Sequence, residues 1–349
     1  MEKKAISCRM VKQGFSKGAC EVALKEGITK PACVATLKYE NGQYYRVITS
    51  MHLSRPEDYY SIYQSGCNHN CLKCHSWEFS KHFNGEWLST DEIAEACSQY
   101  EKQVTIFEPR ERALMYYATD LCKHCGSCIY FNKRSPLCPN KVSRDEIVLS
   151  PQGWGPARNI VAFTGGDIAC QAKFYAEVTQ KIKRRCKNIW VLLESNGYGL
   201  TPKNLDCFQK AGLDSYWLDI KAFDDDIYKK LCGTSNKTVL NSPKEILNRN
   251  FVLEILTVFI PTLVEIDQFE KIAQLIVELN ENIPFHILAF FPQYKLQDYR
   301  SPNLSEILET YKAVKKIGLK NVRIGNIGVF ASTEEERKKL IRTVGAEAL

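Results

Sequence analysis

Short apolar runs alternate with amphipathic stretches through the second half of the chain. Asn159 to Phe163, Ile189 to Leu193, Tyr216 to Ile220, Val252 to Ile260, Phe285 to Phe290 and Asn321 to Ile324 have the length and composition of buried strands. Between them lie helical patterns. Gln171 to Arg185 puts Phe174, Val178 and Ile182 on one side, Pro202 to Ala211 starts on a proline, and Ile266 to Leu279 and Ser305 to Ile317 follow. Repeated βα units predict a parallel sheet with right-handed crossovers. Residues 58–66 read as the first strand of that sheet, which gives at least six units and an α/β fold, a partial (β/α)6 barrel.

Upstream, Ala32 to Lys38 and Gln43 to Thr49 flank Glu40-Asn41-Gly42, a hairpin signal within a short N-terminal β-containing segment. That segment is expected to pack against the edge of the main domain. Ser89-Thr90-Asp91-Glu92 opens a helix with capping residues, and Ile93, Cys97 and Tyr100 form its apolar face. The alternation breaks between 105 and 158. The predicted organisation is an extension over 1–57, a core over 58–330 interrupted by an insert at 105–158, and a tail over 331–349.

The 349 residues are 44% hydrophobic and 25% charged, ordinary for a globular protein, and no apolar run approaches the roughly 18 residues of a membrane span. Met1-Glu2-Lys3-Lys4 leads into no apolar signal region, so the expected location is the cytoplasm and no membrane is involved. The net charge of +7 is modest, and its densest basic run, Lys183-Arg184-Arg185, reads as a solvated helix face rather than a nucleic-acid patch. Cysteine changes the picture. There are fifteen, an odd number, and seven fall in two tight groups. In a reducing compartment that pattern favours metal over disulfides. Cys8, Cys20 and Cys33 lie at long, irregular spacing with no motif, and are expected to be buried free thiols, with a further cluster from these three as the alternative.

The first group, Cys67, Cys71 and Cys74, has C-x3-C-x2-C spacing just beyond the first strand. Three thiolates can hold three irons of a cubane [4Fe–4S] cluster and leave the fourth open to a small molecule. A zinc site completed by His69 or His75 is the competing reading. In the second group, Cys122, Cys125, Cys128 and then Cys138-Pro139 follow the ferredoxin pattern, with nine residues rather than three in the last spacer. Four cysteines complete a cubane without an open iron, which suits an electron carrier or a staple. They also suit zinc, with His124 nearby. Ligands of parallel α/β sheets bind at the carboxyl ends of strands. The residues there are Thr164-Gly165-Gly166-Asp167, Glu194-Ser195-Asn196-Gly197, Asp219-Ile220-Lys221, His286 and Gly325-Asn326-Ile327-Gly328.

Gly66 to Glu78 and these strand ends together resemble the radical S-adenosylmethionine (SAM) superfamily, in its pyruvate formate-lyase activating enzyme-like and AmmeMemoRadiSam-like branch. The resemblance spans about residues 58–330, without the insert. Three departures are Lys73 where an aromatic residue is usual, Asp167 for a glutamate and Ile168 for a proline. The resemblance implies that Cys67, Cys71 and Cys74 hold the catalytic [4Fe–4S] cluster. It implies that SAM is bound by Gly165, Gly166, Asp167, Asn196, Asp219, Lys221, His286 and Asn326. It implies an enzyme that cleaves SAM reductively to a 5′-deoxyadenosyl radical and abstracts a hydrogen, acting on a glycine of a protein substrate, with reduced flavodoxin or ferredoxin as electron donor. Cys122, Cys125, Cys128 and Cys138 would hold a second [4Fe–4S] cluster. The rival readings are a radical SAM modifying enzyme such as a methyltransferase, for which no Asp-x-His-x-x-Gly cobalamin motif is found, and a non-catalytic iron–sulfur or zinc electron-transfer protein.

Overall fold

The alternating pattern folds as one mostly parallel sheet. The structure is a computed structural model that describes residues 5–24 and 27–349; Met1-Glu2-Lys3-Lys4 lie outside the described residues. Two short antiparallel strands, β1 (Glu21–Ala23) and β2 (Thr29–Pro31), lead into a short helix, α1 (Ala32–Thr36). The expected hairpin follows as β3 (Leu37–Glu40) and β4 (Gln43–Leu53), turning on Asn41 and Gly42, both at positive φ. Its first strand is shorter than the apolar run predicts. Ala32–Thr36 coils into α1 instead, with Pro31 at its N-cap and Thr36 Oγ1 donating to Ala32 O at 2.6 Å.

The first barrel strand is β5 (Tyr60–Gln64), followed by α2 (Trp77–Ser80), β6 (Glu86–Ser89) and α3 (Thr90–Glu101). The capping box of α3 forms as expected between Ser89 and Glu92, and Ile93, Cys97 and Tyr100 are buried. The insert contributes only α4 (Ser127–Tyr130) and the small pair β7 (Val148–Ser150) and β8 (Gly153–Gly155). Then the βα units run through β9 (Ile160–Gly165), α5 (Ala172–Arg185), β10 (Trp190–Ser195), α6 (Pro202–Ala211) and β11 (Ser215–Asp219). They continue with α7 (Asp225–Cys232), α8 (Lys237–Leu247), β12 (Val252–Phe259), α9 (Ile266–Leu279), β13 (Phe285–Ala289), α10 (Leu304–Ile317) and β14 (Val322–Gly325), and a helix α11 (Glu334–Val344) closes the chain.

Across the sheet the order is β14-β13-β12-β11-β10-β9-β5-β4-β3, with β6 also on β4. From β5 to β14 every pairing is parallel, which makes the partial (β/α)6 barrel; β3, β4 and β6 extend its edge antiparallel. The strands read as continuous apolar runs because helices cover their outer face: in β9, Ile160, Val161, Ala162 and Phe163 are all fully buried. Phe174, Val178 and Ile182 of α5 pack onto that face as their spacing predicts. Helices α7 and α8 lie in the stretch between β11 and β12 that the pattern left unassigned, and the expected tail contains α11, capped by Thr333 and Glu336.

Residues 105–121 are not part of the cysteine module that follows them; they cross the amino end of the barrel and plug it. Ala113 packs inside the barrel with Tyr59, Ile160, Ala162 and Leu192, and accepts a 2.6 Å hydrogen bond from Ser215 Oγ. Glu254, fully buried, accepts from Met115 N at 2.6 Å and Tyr116 N at 2.8 Å. Arg323 donates to Tyr116 O, Thr119 Oγ1 and Asp120 Oδ1, with its guanidinium 4.1 Å from the Tyr116 ring centre. The barrel therefore opens at its carboxyl end alone, where the cysteine loop lies.

Candidate active site

The loop after β5 is pinned on every side by backbone hydrogen bonds. Gly66 N donates to Phe79 O at 2.8 Å, Asn68 N to Asp167 O at 2.8 Å, Asn70 N to Cys232 O at 2.9 Å and Leu72 N to Leu231 O at 2.8 Å. Beneath it lies Arg46, fully buried, donating to Gly66 O at 3.2 Å and Gly166 O at 3.4 Å. Such anchoring sets the cysteines before any ligand arrives, which lowers the ordering cost of binding. Cys67, Cys71 and Cys74 open onto one cavity of about 320 Å³, whose walls also include Gly165, Asp167, Asn196, Asp219, Lys221 and Asn326. That volume lies in the range of small-molecule sites, roughly 300–1,000 Å³. Asn196 ties loop to barrel: its Nδ2 donates to Asn68 Oδ1 at 2.7 Å and reaches Cys67 Sγ at 3.7 Å. Asn326 Nδ2 donates to Ala289 O at 2.8 Å, holding the last strand end against β13.

The cavity is strongly polar on one wall. Asp219 and Lys221 form an ion pair there. Burial would push the Asp219 carboxyl up, but Lys221 and then Lys73 outweigh it and hold it below the usual range; the same pairing raises Lys221 against its burial. Two buried polar atoms on this wall, Asp219 Oδ1 and Trp217 Nε1, have no hydrogen-bond partner among the described residues. Unpaired buried groups cost free energy, so a polar ligand suits them. Glu194, at the end of β10, accepts from Tyr59 Oη at 2.9 Å and from Thr164 Oγ1. Burial pushes its carboxyl up to about 8, so it is largely protonated at neutral pH. Reading strand ends singled out the stretch Glu194-Ser195-Asn196-Gly197 but not Glu194 itself as a wall of the cavity.

Four expectations change. His286 does not reach the cavity. It is the second residue of β13, at the plugged end, where its Nε2 lies 3.0 Å from Glu254 Oε2 and Tyr116 packs edge-on against its ring. Gly166 is not a cavity wall either. A Cβ there would come within 2.3 Å of Gly66 O, so its lack of a side chain serves the approach of the cysteine loop rather than that of a ligand. Asp167 lines the cavity, but its carboxylate is taken up by Ala169 N at 2.7 Å, Ser195 Oγ at 2.8 Å and Asn196 N at 2.9 Å, a brace between two strand-end loops. His69 cannot serve as a fourth ligand, since Nδ1 lies 2.9 Å from Asn68 Oδ1 and Nε2 2.9 Å from Tyr228 Oη. His75 and Lys73 do line the cavity. Of the aromatic residues after the loop, Trp77 stacks on Tyr294 and Phe79 packs on Gly165, so both act as core beside the site.

Cys122, Cys125, Cys128 and Cys138 of the insert surround a separate small cavity with Arg134 and Trp154. Arg134 Nη1 donates to Cys138 Sγ at 3.3 Å. His124 turns away: its Nε2 lies 2.9 Å from both carboxylate oxygens of Asp58. Asp58 precedes β5 by two residues, so this module stands at the amino end of the barrel, roughly 20 Å of strand from the Cys67 loop. Among the described residues no three His, Cys, Asp or Glu side chains close around a single metal ion. The four corners of a cubane stand further apart than the ligands of one ion, since each thiolate meets its own iron.

Residues 119–276 match the family model described as the radical SAM superfamily. The chain is 28% identical over 234 residues, 65% of its own length and 84% of the relative's, to a Methanocaldococcus jannaschii protein named for glycyl-radical enzyme activation. It is 30% identical over 147 residues, 40% of this chain and 60% of the other, to the pyruvate formate-lyase-activating enzyme of Clostridium pasteurianum. A solved domain of a pyruvate-formate lyase-activating enzyme from Bacteroides vulgatus aligns with a TM-score of 0.41 at 15% identity, covering 48% of this chain and 98% of that one. No helix is long and apolar enough, among the described residues, to cross a membrane. A parallel partial barrel, a C-x3-C-x2-C loop at its open end and the match over residues 119–276 agree in their likeness to the radical SAM superfamily.

Proposed function

We propose that this chain is an activase-like enzyme: it cleaves SAM reductively and abstracts a hydrogen atom from a backbone glycine of a partner protein. The observation that carries the reading is the single cavity onto which Cys67, Cys71, Cys74, Asn196, Asp219, Lys221 and Asn326 all open. The superfamily implies SAM and a [4Fe–4S] cluster, and the three thiols of the loop would hold three irons of a cubane and leave one open. When bound, that cluster supplies the electron that breaks a carbon–sulfur bond of SAM. The rest is the work of the chain. Lys221 offers its ammonium to a ligand carboxylate, while the unpaired Asp219 Oδ1 and Trp217 Nε1 offer an acceptor and a donor to its polar groups. Asp167 and Asn196 keep the strand-end loops and the cysteine loop in register. Leu288, Val258 and Phe290 form an apolar wall that keeps water from a reactive radical. A protein glycine as substrate is supported by the printed names of the two relatives. The same reading takes reduced flavodoxin or ferredoxin as donor, a second cluster in the insert, and a cytoplasmic setting.

The test is anaerobic reconstitution with dithionite and SAM, assayed for 5′-deoxyadenosine. Release by the parent chain and its loss in Cys71→Ala are expected; no release from fully iron-loaded protein would leave only an electron carrier. Addition of a glycyl-radical enzyme from the same genome should then produce a glycyl doublet in its electron paramagnetic resonance spectrum. Release without that doublet moves the reading to a modifying enzyme.

A further inference from the structure

Among the described residues, the three most exposed large apolar side chains are Phe131 at 77%, Tyr130 at 68% and Leu149 at 64%, and all three belong to the cysteine module. They are not scattered. Tyr130 Oη accepts from Trp154 Nε1 at 3.0 Å, the Tyr130 and Phe131 ring centres stand 6.4 Å apart, and Leu149 faces Trp154 across the β7–β8 pair. Trp154 in turn lines the cavity that Cys122, Cys125, Cys128 and Cys138 surround, and Cys125 is itself exposed. Single apolar groups on a surface need no explanation, but a contiguous set beside a site marks an interaction surface. Positive charge rings the same place. Lys133, Arg134, Lys141 and Arg144 are exposed, and none of them forms an ion pair among the described residues. Arg134 and Arg144 line the four-cysteine cavity, and Arg144 Nη1 donates to Asn132 Oδ1 at 2.8 Å, which holds it beside Phe131. Of the two carboxylates in this stretch, Glu146 is taken up by Ser143 N at 2.7 Å and Ser143 Oγ at 2.6 Å, which leaves Asp145 against four cations.

We infer that this face docks a small acidic iron–sulfur carrier of the ferredoxin class, at the end of the barrel opposite the mouth. This rests on the proposed function in taking a reduced carrier as donor and a cluster at the insert's cysteines. Aromatic side chains and arginine are enriched in the cores of protein interfaces, and unpaired cations steer a partner of opposite charge. Charge favours an iron–sulfur carrier over a flavin one, because a cluster held by four thiolates adds its own negative charge to an acidic surface. Four cations beside an exposed thiol are also too small a footprint for the long basic stripe of a nucleic-acid site. One electron leaves the carrier, which is oxidised, and enters the insert's cluster, which is reduced; no bond forms or breaks. Bonded groups join the module to the catalytic cavity. His124 N donates to Cys122 Sγ at 3.3 Å, and His124 Nε2 lies 2.9 Å from Asp58. Tyr59 follows Asp58 in the chain, and its Oη donates at 2.9 Å to Glu194, a wall of the cavity of Cys67, Cys71 and Cys74. Entry at this end leaves the mouth free, so carrier and polypeptide substrate do not exclude each other.

The test uses the full-length, anaerobically reconstituted protein with a purified acidic bacterial ferredoxin as probe, and reads binding by titration calorimetry. Three proteins are compared: the parent, the Phe131→Ala/Lys133→Glu/Lys141→Glu variant, and Lys295→Glu, which reverses an exposed charge beside the cysteine loop at the mouth. The triple variant is expected to bind about tenfold or more weakly, with a flatter salt dependence. Its iron content should match the parent's, since none of the three side chains lines the cysteine cavity. Lys295→Glu should bind as the parent does. Unchanged binding in the triple variant overturns the proposal. Weakening by Lys295→Glu overturns it by placing the carrier over the mouth, and iron loss in the triple variant overturns it by assigning these residues to the module's fold. Binding of a mixed-sequence single-stranded RNA by the parent, lost in the triple variant, with no binding of ferredoxin, overturns it in favour of a nucleic acid. With SAM present, 5′-deoxyadenosine release driven by reduced ferredoxin should fall in the triple variant while release driven by dithionite stays; an equal fall with both overturns the proposal. Calorimetric binding needs neither SAM nor turnover. A parent that releases no 5′-deoxyadenosine with either reductant therefore removes the proposed function, and the docking face is decided by the binding result.

Discussion

At the scale of the residue, two positions bear on the site, one in the cavity wall and one under the cysteine loop. Glu194 is held protonated by burial, with a folded pKa of about 8 against an ordinary 4.5. A folded pKa raised above the unfolded one contributes stability that is present below the unfolded pKa and is lost as pH rises to the folded one. The parent should therefore lose stability between about pH 4.5 and 8 in a way that Glu194→Gln does not. The gap between the two melting curves widens across that window, and it amounts to at most a few kcal/mol because the cavity partly wets the group. Equal pH slopes for the two proteins would show that Glu194 ionises freely. Gly166 is the second position. In Gly166→Ala the new methyl meets Gly66 O, and that carbonyl is part of the cysteine loop's backbone. The loop must move, at a cost of about 1–3 kcal/mol, and iron uptake at Cys67, Cys71 and Cys74 on reconstitution should fall below that of the parent. Residue identity was legible where chemistry is local: C-x3-C-x2-C and Asp-Ile-Lys declare themselves within a few positions. His286 misled because a strand's name does not say which end of it a residue occupies.

At the scale of the element, the strands and most helices followed from period and capping. Ser89 and Asn303 begin their helices through capping boxes, and α6 starts on Pro202 as its sequence says. The helices missed, α7 and α8, are short, and α8 carries Pro243 in its interior, which removes a donor and argues locally against a helix. The stretch 105–121 was unreadable for another reason. It has no regular period because its hydrogen bonds go to the barrel rather than to itself. Glu254 is the keystone, joining two amides of that stretch to His286. Glu254→Ala leaves all three without their partner in the barrel floor, and should destabilise the fold by about 3–5 kcal/mol in urea denaturation. Limited trypsin digestion should at the same time expose Arg110 and Arg112, which lie in that stretch. A variant as stable and as resistant as the parent would show that the plug holds without it.

At the scale of the whole molecule, seven of the fifteen cysteines line two cavities, three at the open end of the barrel and four at the other end. The N-terminal segment packs on the edge of the main domain as expected, with β4 hydrogen-bonded to β5 in the barrel sheet and β3 to β4 beyond it, and it also supplies Arg46 beneath the cysteine loop. The hairpin and its place at the edge of the main domain could be read from the sequence, but the approach of Arg46 to the cysteine loop could not, because long-range contact leaves no trace in composition.

The closed floor has a kinetic corollary. With residues 113–120 filling the far mouth, entry and departure share one doorway; under the proposed activity, 5′-deoxyadenosine and methionine would have to clear the same passage that admits a polypeptide segment. Turnover in such a vessel would be sequential: a docked partner would trap whatever lies behind it until it left.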